Sequence, residues 1–222
     1  MLVYSLLSRD ALIYGENIVP PVKTRIQKLN EKRILDAALE MFAQYGYEGA
    51  TIDKISARAK ISKPNLHYYF TTKSDLYTAV LYRTLETWLA PLVTMNPEGD
   101  PRTELSRYIA QKVEMSRLMP ADSRVYANEI LHGAPFLKTY LETELRELMS
   151  RKTEVIQHWV DTGQLKKIDP YHLIFLIWAG TQHYADFAPQ VKAVLSESRL
   201  TKKLFTSVEE SLCQIILGGV LP

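Results

Sequence analysis

The chain has 222 residues, of which 46% are apolar, and a formal net charge of +2. That is enough apolar material for a sizeable core, and a net charge too small to name a partner by itself. The single cysteine, Cys213, excludes an intrachain disulfide and suits a reducing cytoplasm; no apolar run is long enough to span a bilayer.

Residues 1–22 lack helical periodicity and end in Pro20-Pro21. They read as a flexible arm, or as extra residues from an early start codon, and Arg9 and Asp10 interrupt any signal-peptide pattern. From Lys23 onward helical spacing dominates, with no run of alternating strand residues. The first helix is expected over 25–45, with Ile34, Leu35, Ala38, Leu39 and Phe42 on one face and Gly46 as its left-handed terminator. Thr51 is placed to cap a second helix that buries Ile52, Ile55 and Ala59. Ser62 is placed to cap a third, whose first turn tolerates Pro64. Thr72 and Asp75 have capping-box spacing and open a long fourth helix towards Val93. The segment Asn96-Pro97-Glu98-Gly99-Asp100-Pro101 reads as a linker. Further helices are expected over 102–118, 122–132, 136–162, 170–188 and 200–218. The breaks between them fall at Met119-Pro120, Gly133-Ala134-Pro135, Gly163 to Pro170 and Ala188-Pro189. The predicted fold is all-α: a flexible arm over 1–22, a helix-turn-helix domain over 23–72, and a helical ligand-binding and dimerisation domain over 73–222.

Residues 51–73 carry the strongest functional pattern. Two short helices joined by a tight turn, then a tyrosine pair and a lysine, form the layout of a helix-turn-helix, whose second helix enters the DNA major groove. Ser62, Lys63, Asn65 and His67 supply small or polar outward groups, while Leu66 and Phe70 lie four apart and anchor that helix inward. The charge distribution agrees: residues 21–73 hold ten Lys or Arg and five Asp or Glu, the remainder 17 and 20. The competing reading is a small helical subdomain with half-buried tyrosines.

The runs Ile34-Leu35-Asp36-Ala37-Ala38-Leu39-Glu40-Met41-Phe42, Tyr45-Gly46-Tyr47-Glu48-Gly49-Ala50-Thr51, Ile55-Ser56, Tyr68-Tyr69-Phe70 and Lys73 resemble the DNA-binding domain of the tetracycline-repressor (TetR) family. The resemblance implies a dimer on palindromic operator DNA. It makes Thr51, Tyr68 and Lys73 the expected phosphate contacts, and Lys63, Asn65 and His67 the expected base readers. One departure is Lys60, where the family commonly has glycine in the inter-helix turn; a positive φ there carries a modest cost.

Further along, Trp88-Leu89-Ala90-Pro91-Leu92, His132-Gly133-Ala134-Pro135 and the stretches from Ile168 to Pro170 and from Gln182 to Val191 resemble the pyrimidine-utilisation regulators of that family. Those regulators bind uracil or thymine and leave DNA when they do, so the resemblance implies that effector class. The residues suit it. Trp178 and Gln182 stand four apart, one offering a stacking wall and the other both a donor and an acceptor. Trp88, Ser123, Arg124 and Asn128 are further candidates. Trp178 also fits ordinary core packing, and Gln182 a dimer interface. The helices expected over 170–188 and 200–218 form the anticipated dimer seam, with Leu204, Val208, Leu212, Ile215 and Ile216 on an apolar face.

A catalytic role finds little support. His132, His158, His172 and His183 are scattered, and no phosphate-cradling glycine loop or cofactor motif is present. His183 and Asp186 share a helical face, but two ligands do not make a metal site; a bond to each other or at an interface fits them better. The serious rival lies within the family: a regulator of efflux or catabolism genes that senses a larger lipophilic compound, for which the 13 tyrosines and three tryptophans would also serve.

Overall fold

The computed structural model describes residues 24–222, and these form helices and turns with no strand among them. The arm expected over residues 1–22 lies outside the described residues. Helix α1 (Arg25–Gly49) opens with a capping box between Thr24 and Gln27 and leaves helical geometry at Gly46, where φ is 69° and ψ is 177°. Glycine alone reaches that combination without a steric penalty; it makes a kink rather than the left-handed helix end expected there, and the helix runs on to Gly49. Helix α2 (Ile52–Ala59) is capped by Thr51, whose hydroxyl accepts the Lys54 N–H at 3.3 Å. Helix α3 (Lys63–Tyr69) is capped in the same way by Ser62 from Asn65. Between them Lys60 takes the left-handed conformation, φ 55° and ψ 47°, so a lysine does the turning that glycine commonly does.

Helix α4 (Lys73–Val93) starts at the expected capping box: the Thr72 N–H reaches Asp75 at 2.9 Å and the Asp75 N–H reaches Thr72 at 3.1 Å. Helices α5 (Pro101–Leu118) and α6 (Pro120–Leu131) follow, and the Asp100 carboxylate caps α5. The stretch expected as one helix over 136–162 is instead α7 (Lys138–Tyr140), a π-helical segment (Leu141–Leu145) and α8 (Arg146–Asp161). Helix α9 (Pro170–Asp186) ends earlier than expected, and an unforeseen helix, α10 (Ala188–Leu195), begins at the supposed break. Pro189 falls in its first turn, where no N–H is needed. Helix α11 (Lys202–Val220) closes the chain. No described helix is long and apolar enough to cross a membrane.

Packing divides the described residues into two compact units: those up to Thr87 with Val125–Leu137, and Trp88–Arg124 with Lys138–Pro222. The expected boundary at 72/73 lies inside the first, and α4 and α6 each give residues to both. In the first unit Ile34, Phe42, Ile55, Leu66 and Phe70 are buried between α1, α2 and α3. Removing a ring such as Phe42 from such a core costs roughly 3–5 kcal/mol. An aromatic cluster continues from it: Phe42, Tyr47, Tyr77 and Phe136 lie ring to ring, Tyr47 and Phe136 at 4.8 Å. Phe136 is held there by Glu129, a buried carboxylate that accepts the Phe136 N–H at 2.7 Å and the Leu137 N–H at 3.2 Å. With Gly133 and Ala134 both at positive φ, this explains why the helix expected from 136 starts only at Lys138.

In the second unit α5 packs against α9 and α11 around Leu105, Ile109, Val113, Leu173, Ile177 and Phe205. Helices α9 and α11 approach closely at Gly180: a Cβ there would lie 3.0 Å from a Leu212 methyl. The last carbonyls of α4 are taken up by Lys152, whose Nζ donates to Val93 at 2.7 Å and Met95 at 3.1 Å. The apolar face expected on α11 is divided. Val208 and Ile216 are buried, Leu204 and Leu212 half-buried, and Ile215 is 70% exposed.

Candidate DNA-binding face and effector cluster

The DNA-facing candidates lie in the first unit. Thr51, Ser62, Lys63, Asn65, His67 and Tyr68 are exposed, while Leu66 and Phe70 are buried and fix the orientation of α3. Tyr68 is 69% exposed, and its hydroxyl accepts a hydrogen bond from Gln27 at 3.0 Å. The His67 Nδ1 donates to the Thr71 carbonyl at 3.1 Å, which leaves Nε2 as an outward acceptor. Lys63 pairs with Asp53 at 3.0 Å, an exposed contact that a phosphate can replace at small cost. Lys73 differs from the rest. It is half-buried, its ammonium lies 4.3 Å from the Tyr47 ring centroid, and it donates to the Tyr47 and Ala50 carbonyls at 2.9 and 3.4 Å. In the free protein this lysine ties the end of α1 to the start of α4. A phosphate contact has to be made beside those bonds or in exchange for them. Gln27 and Asp53, which position Tyr68 and Lys63, escaped sequence reasoning because neither lies in the helix-turn-helix pattern's outward set.

Most of the effector candidates converge in the second unit. Trp88, at the end of α4, is buried, and the Lys112 ammonium on α5 lies 4.0 Å from its ring centroid. Ser123 at the start of α6 is fully buried and donates a short hydrogen bond to Asp186 at the end of α9. Trp178 donates from Nε1 to the Tyr108 hydroxyl at 2.5 Å. Trp178, Gln182 and Asp186 recur every four residues along α9, so they share its face. Gln182 is half-buried and its amide has no hydrogen-bond partner among the described residues. Two buried donors, Trp88 Nε1 and Arg124 Nε, also lack any partner. Unsatisfied buried donors are rare and costly in a folded protein, and these two lie on α4 and α6. Asn128 stands apart: it is exposed and belongs to the first unit.

The electrostatics of this cluster are unusual. Burial pushes the Lys112 ammonium down to about 7, against an opposing pull from Asp186. Burial raises the Asp186 carboxyl, opposed by Ser123, His183, Lys112 and Arg124. Burial also raises the Tyr108 phenol. His183 does not bond to Asp186, as the sequence had suggested; its ring stacks on Phe187 at 5.1 Å, and Ser123 is the carboxylate's partner. No group of three or more His, Cys, Asp or Glu able to hold a metal occurs among the described residues. Sequence reasoning passed over Tyr108 and Lys112, and weighed Asp186 only beside His183. The four-residue spacing from Gln182 to Asp186 was a usable signal, whereas Lys112, next to Gln111 and two residues before Glu114, reads as part of a solvated face. A groove of about 490 Å³ between α5 and α11, bordered by Met115, Phe205 and Glu209, includes none of the effector candidates.

A model of the tetR family of bacterial regulatory proteins matches residues 34–80, and a model of the C-terminal region of YcdC-like proteins matches residues 81–222. The chain is 43% identical over 200 residues to the HTH-type transcriptional regulator RutR of Escherichia coli (strain K12), covering 90% of this chain and 94% of that protein. It is 27% identical over 174 residues to the HTH-type transcriptional repressor SCO4008 of Streptomyces coelicolor, covering 77% and 85%. Among solved structures, the ketosteroid transcriptional regulator KstR2 of Mycobacterium tuberculosis superposes with a TM-score of 0.68 at 18% identity, over 93% of this chain and 100% of that one. A TetR-like transcriptional regulator from Rhodococcus sp. RHA1 gives 0.64 at 19% identity, over 91% and 98%. Those two structures share the fold.

Proposed function

This chain belongs to the tetR family of bacterial regulatory proteins and is a transcriptional regulator similar to RutR, and from that premise we propose that it is a homodimeric repressor of pyrimidine-metabolism genes, released from a palindromic operator by free uracil or thymine. The observation that carries the effector class is the buried cluster around Trp88. The Trp88 indole is buried, and its Nε1 and the Arg124 Nε on α6 are buried donors that have no partner of their own. A small planar molecule with carbonyl acceptors satisfies both needs, and the resemblance of residues 88–92, 132–135 and 168–191 to pyrimidine-utilisation regulators supports the same class. A large lipophilic effector would leave those donors unpaired.

The DNA-contact roles are those of the exposed face: Thr51, Tyr68 and Lys73 on phosphates, and Ser62, Lys63, Asn65 and His67 towards base edges. The dimer forms through α9 and α11, where Phe175, Leu176 and Ile215 are 48%, 53% and 70% exposed. Two-fold pairing of such faces requires a palindromic operator. Coupling runs along α4, which begins beside the recognition helix and ends at Trp88 and its neighbours. An effector held among α4, α5, α6, α8 and α9 changes the tilt of α4, and with it the spacing of the two recognition helices. The effector must bind the two states unequally for this to switch anything. Operator selection from random DNA, with and without uracil, tests the reading: one palindrome is enriched without uracil and lost with it. An enrichment that uracil leaves unchanged overturns the effector assignment.

A further inference from the structure

The recognition helix α3 ends in Tyr68 and Tyr69, and the first turns of α1 hold both. Gln27 donates from Nε2 to the Tyr68 hydroxyl at 3.0 Å, and Asn30 donates from Nδ2 to the Tyr69 hydroxyl at 3.4 Å. The tyrosine rings meet edge to face at 5.1 Å. Gln27 is also the inner residue of the α1 capping box. Its Oε1 accepts the Thr24 N–H at 2.8 Å, and its own N–H reaches the Thr24 hydroxyl at 3.2 Å. The box settles which way the Gln27 amide points. A backbone N–H can only donate, so the amide atom facing Thr24 is the oxygen and the one facing Tyr68 is the nitrogen. An amide nitrogen can likewise only donate, so Tyr68 must accept. These residues all belong to the same compact unit.

We infer that Gln27 is a positioning residue for DNA binding: it occupies the acceptor side of the Tyr68 oxygen and so leaves the phenolic proton to be given to a phosphate. The inference rests on the phosphate role assigned to Tyr68 above and deepens it. A phenolic proton lies in the ring plane, on one side of the oxygen or the other. With Gln27 on one side the proton is left on the other, and Tyr68 is 69% exposed, so that proton is available to a ligand. The bonds form one chain from the Thr24 N–H through the Gln27 amide to the Tyr68 hydroxyl, all running in the same direction and each polarising the next. The end of that chain presents a proton to an anion. An unheld tyrosine side chain has to be ordered when DNA binds, which costs affinity; Gln27 orders it beforehand. The competing role for Gln27 is to start α1 and nothing more. The two roles separate chemically. The capping box needs only an acceptor at this position, whereas Tyr68 needs a donor. A glutamate meets the first need and reverses the second, because a carboxylate only accepts and takes the phenolic proton for itself.

Anisotropy titrations of a labelled duplex carrying the selected palindrome test this on the full chain. The proteins are wild type, Gln27→Met and Gln27→Glu, each with Tyr68 intact and each combined with Tyr68→Phe. Beside an intact Tyr68, Gln27→Met weakens binding roughly three- to tenfold. In the Tyr68→Phe background the same change costs less than about twofold, because the hydroxyl it positions is gone. Gln27→Glu keeps the α1 cap and the wild-type melting temperature, yet weakens binding more than Gln27→Met does. In the Tyr68→Phe background only the effect of its charge remains, and the loss is smaller. Should Gln27→Met lower the melting temperature, Gln27→Glu decides, since it retains the acceptor for the Thr24 N–H. Wild-type affinity in both Gln27 variants, or the same loss with and without the Tyr68 hydroxyl, overturns the positioning inference alone, provided Tyr68→Phe by itself weakens binding. A Tyr68→Phe protein with wild-type affinity overturns it together with the phosphate role of Tyr68.

Discussion

The Lys112 ammonium lies 4.0 Å from the centroid of the Trp88 indole, inside a unit where both residues are buried. An indole face is the best aromatic partner for a cation, yet this one replaces only part of the lost hydration. Burial accordingly lowers the lysine to about 7 from its ordinary 10.5. Below pH 7 the lysine is charged in folded and unfolded chains alike, and the cost of burying that charge is felt in full. Between pH 7 and 10.5 the unfolded chain holds a proton that the folded chain has released, so this group makes stability rise with pH, by up to about 1.4 kcal/mol per pH unit. Asp186 and Arg124 also act on the cluster, so the comparison is with Lys112→Met in otherwise identical protein. Denaturant titrations across that window will show wild type gaining stability relative to the variant; parallel curves would mean that Lys112 is solvated.

Bound effector alters the same equilibrium. An effector carbonyl that accepted from Lys112 would favour its charged form, so uracil binding is expected to take up a proton and to weaken as pH rises through 7. Calorimetry in two buffers of different ionisation heat measures the uptake, which Lys112→Met removes.

On the DNA face, position and chemistry separate two kinds of variant. Tyr68→Phe removes an exposed hydroxyl and is expected to weaken binding to every operator by about 0.5–1.5 kcal/mol, without changing their order. Asn65→Ala and His67→Ala alter the order, by roughly 1–3 kcal/mol at the base pair each one reads. Lys73→Met breaks the bonds to Tyr47 and Ala50 as well as any phosphate contact, so it lowers both stability and affinity. Anisotropy titrations over an operator set, with a melting curve for each variant, distinguish these patterns.

Gln182 is half-buried, and its amide has no partner among the described residues. Gln182→Leu fits the half-buried site, removes both its donor and its acceptor, and should abolish release by uracil while leaving operator affinity within about twofold of wild type. A fully inducible Gln182→Leu protein would remove Gln182 from the effector site.

Ile215 projects from α11 with 70% of its surface exposed, on the helix expected at the dimer seam. A charge buried in an apolar interface costs several kcal/mol, so Ile215→Asp is expected to yield monomers by light scattering and to lose most operator affinity. A dimer of unchanged strength would move the seam elsewhere.

Much of the DNA-binding unit was legible because its markers are local. The caps Thr51, Ser62 and the Thr72–Asp75 pair each act through a hydrogen bond to a residue three positions along, and Lys60 turns left-handed where the inter-helix geometry requires it. The second unit was less legible because its determinants are tertiary. The π-helical segment at Leu141–Leu145 leaves the helical periodicity of its sequence unbroken, and Pro189 marks a helix start as readily as a helix end. Asp186 meets Ser123 across 63 positions of sequence. Lys112 looks like any surface lysine until α5 is packed. Glu129, which shortens the expected helix after Pro135, is likewise an acidic residue that folding buries.

In the proposed mechanism effector and operator oppose each other through one protein. Calorimetric titration of uracil into the free protein and into its complex with the selected operator measures that opposition directly. Uracil is expected to bind the free protein at least tenfold more tightly than the complex, a coupling of about 1.4 kcal/mol or more. Equal affinity for the two forms would contradict it.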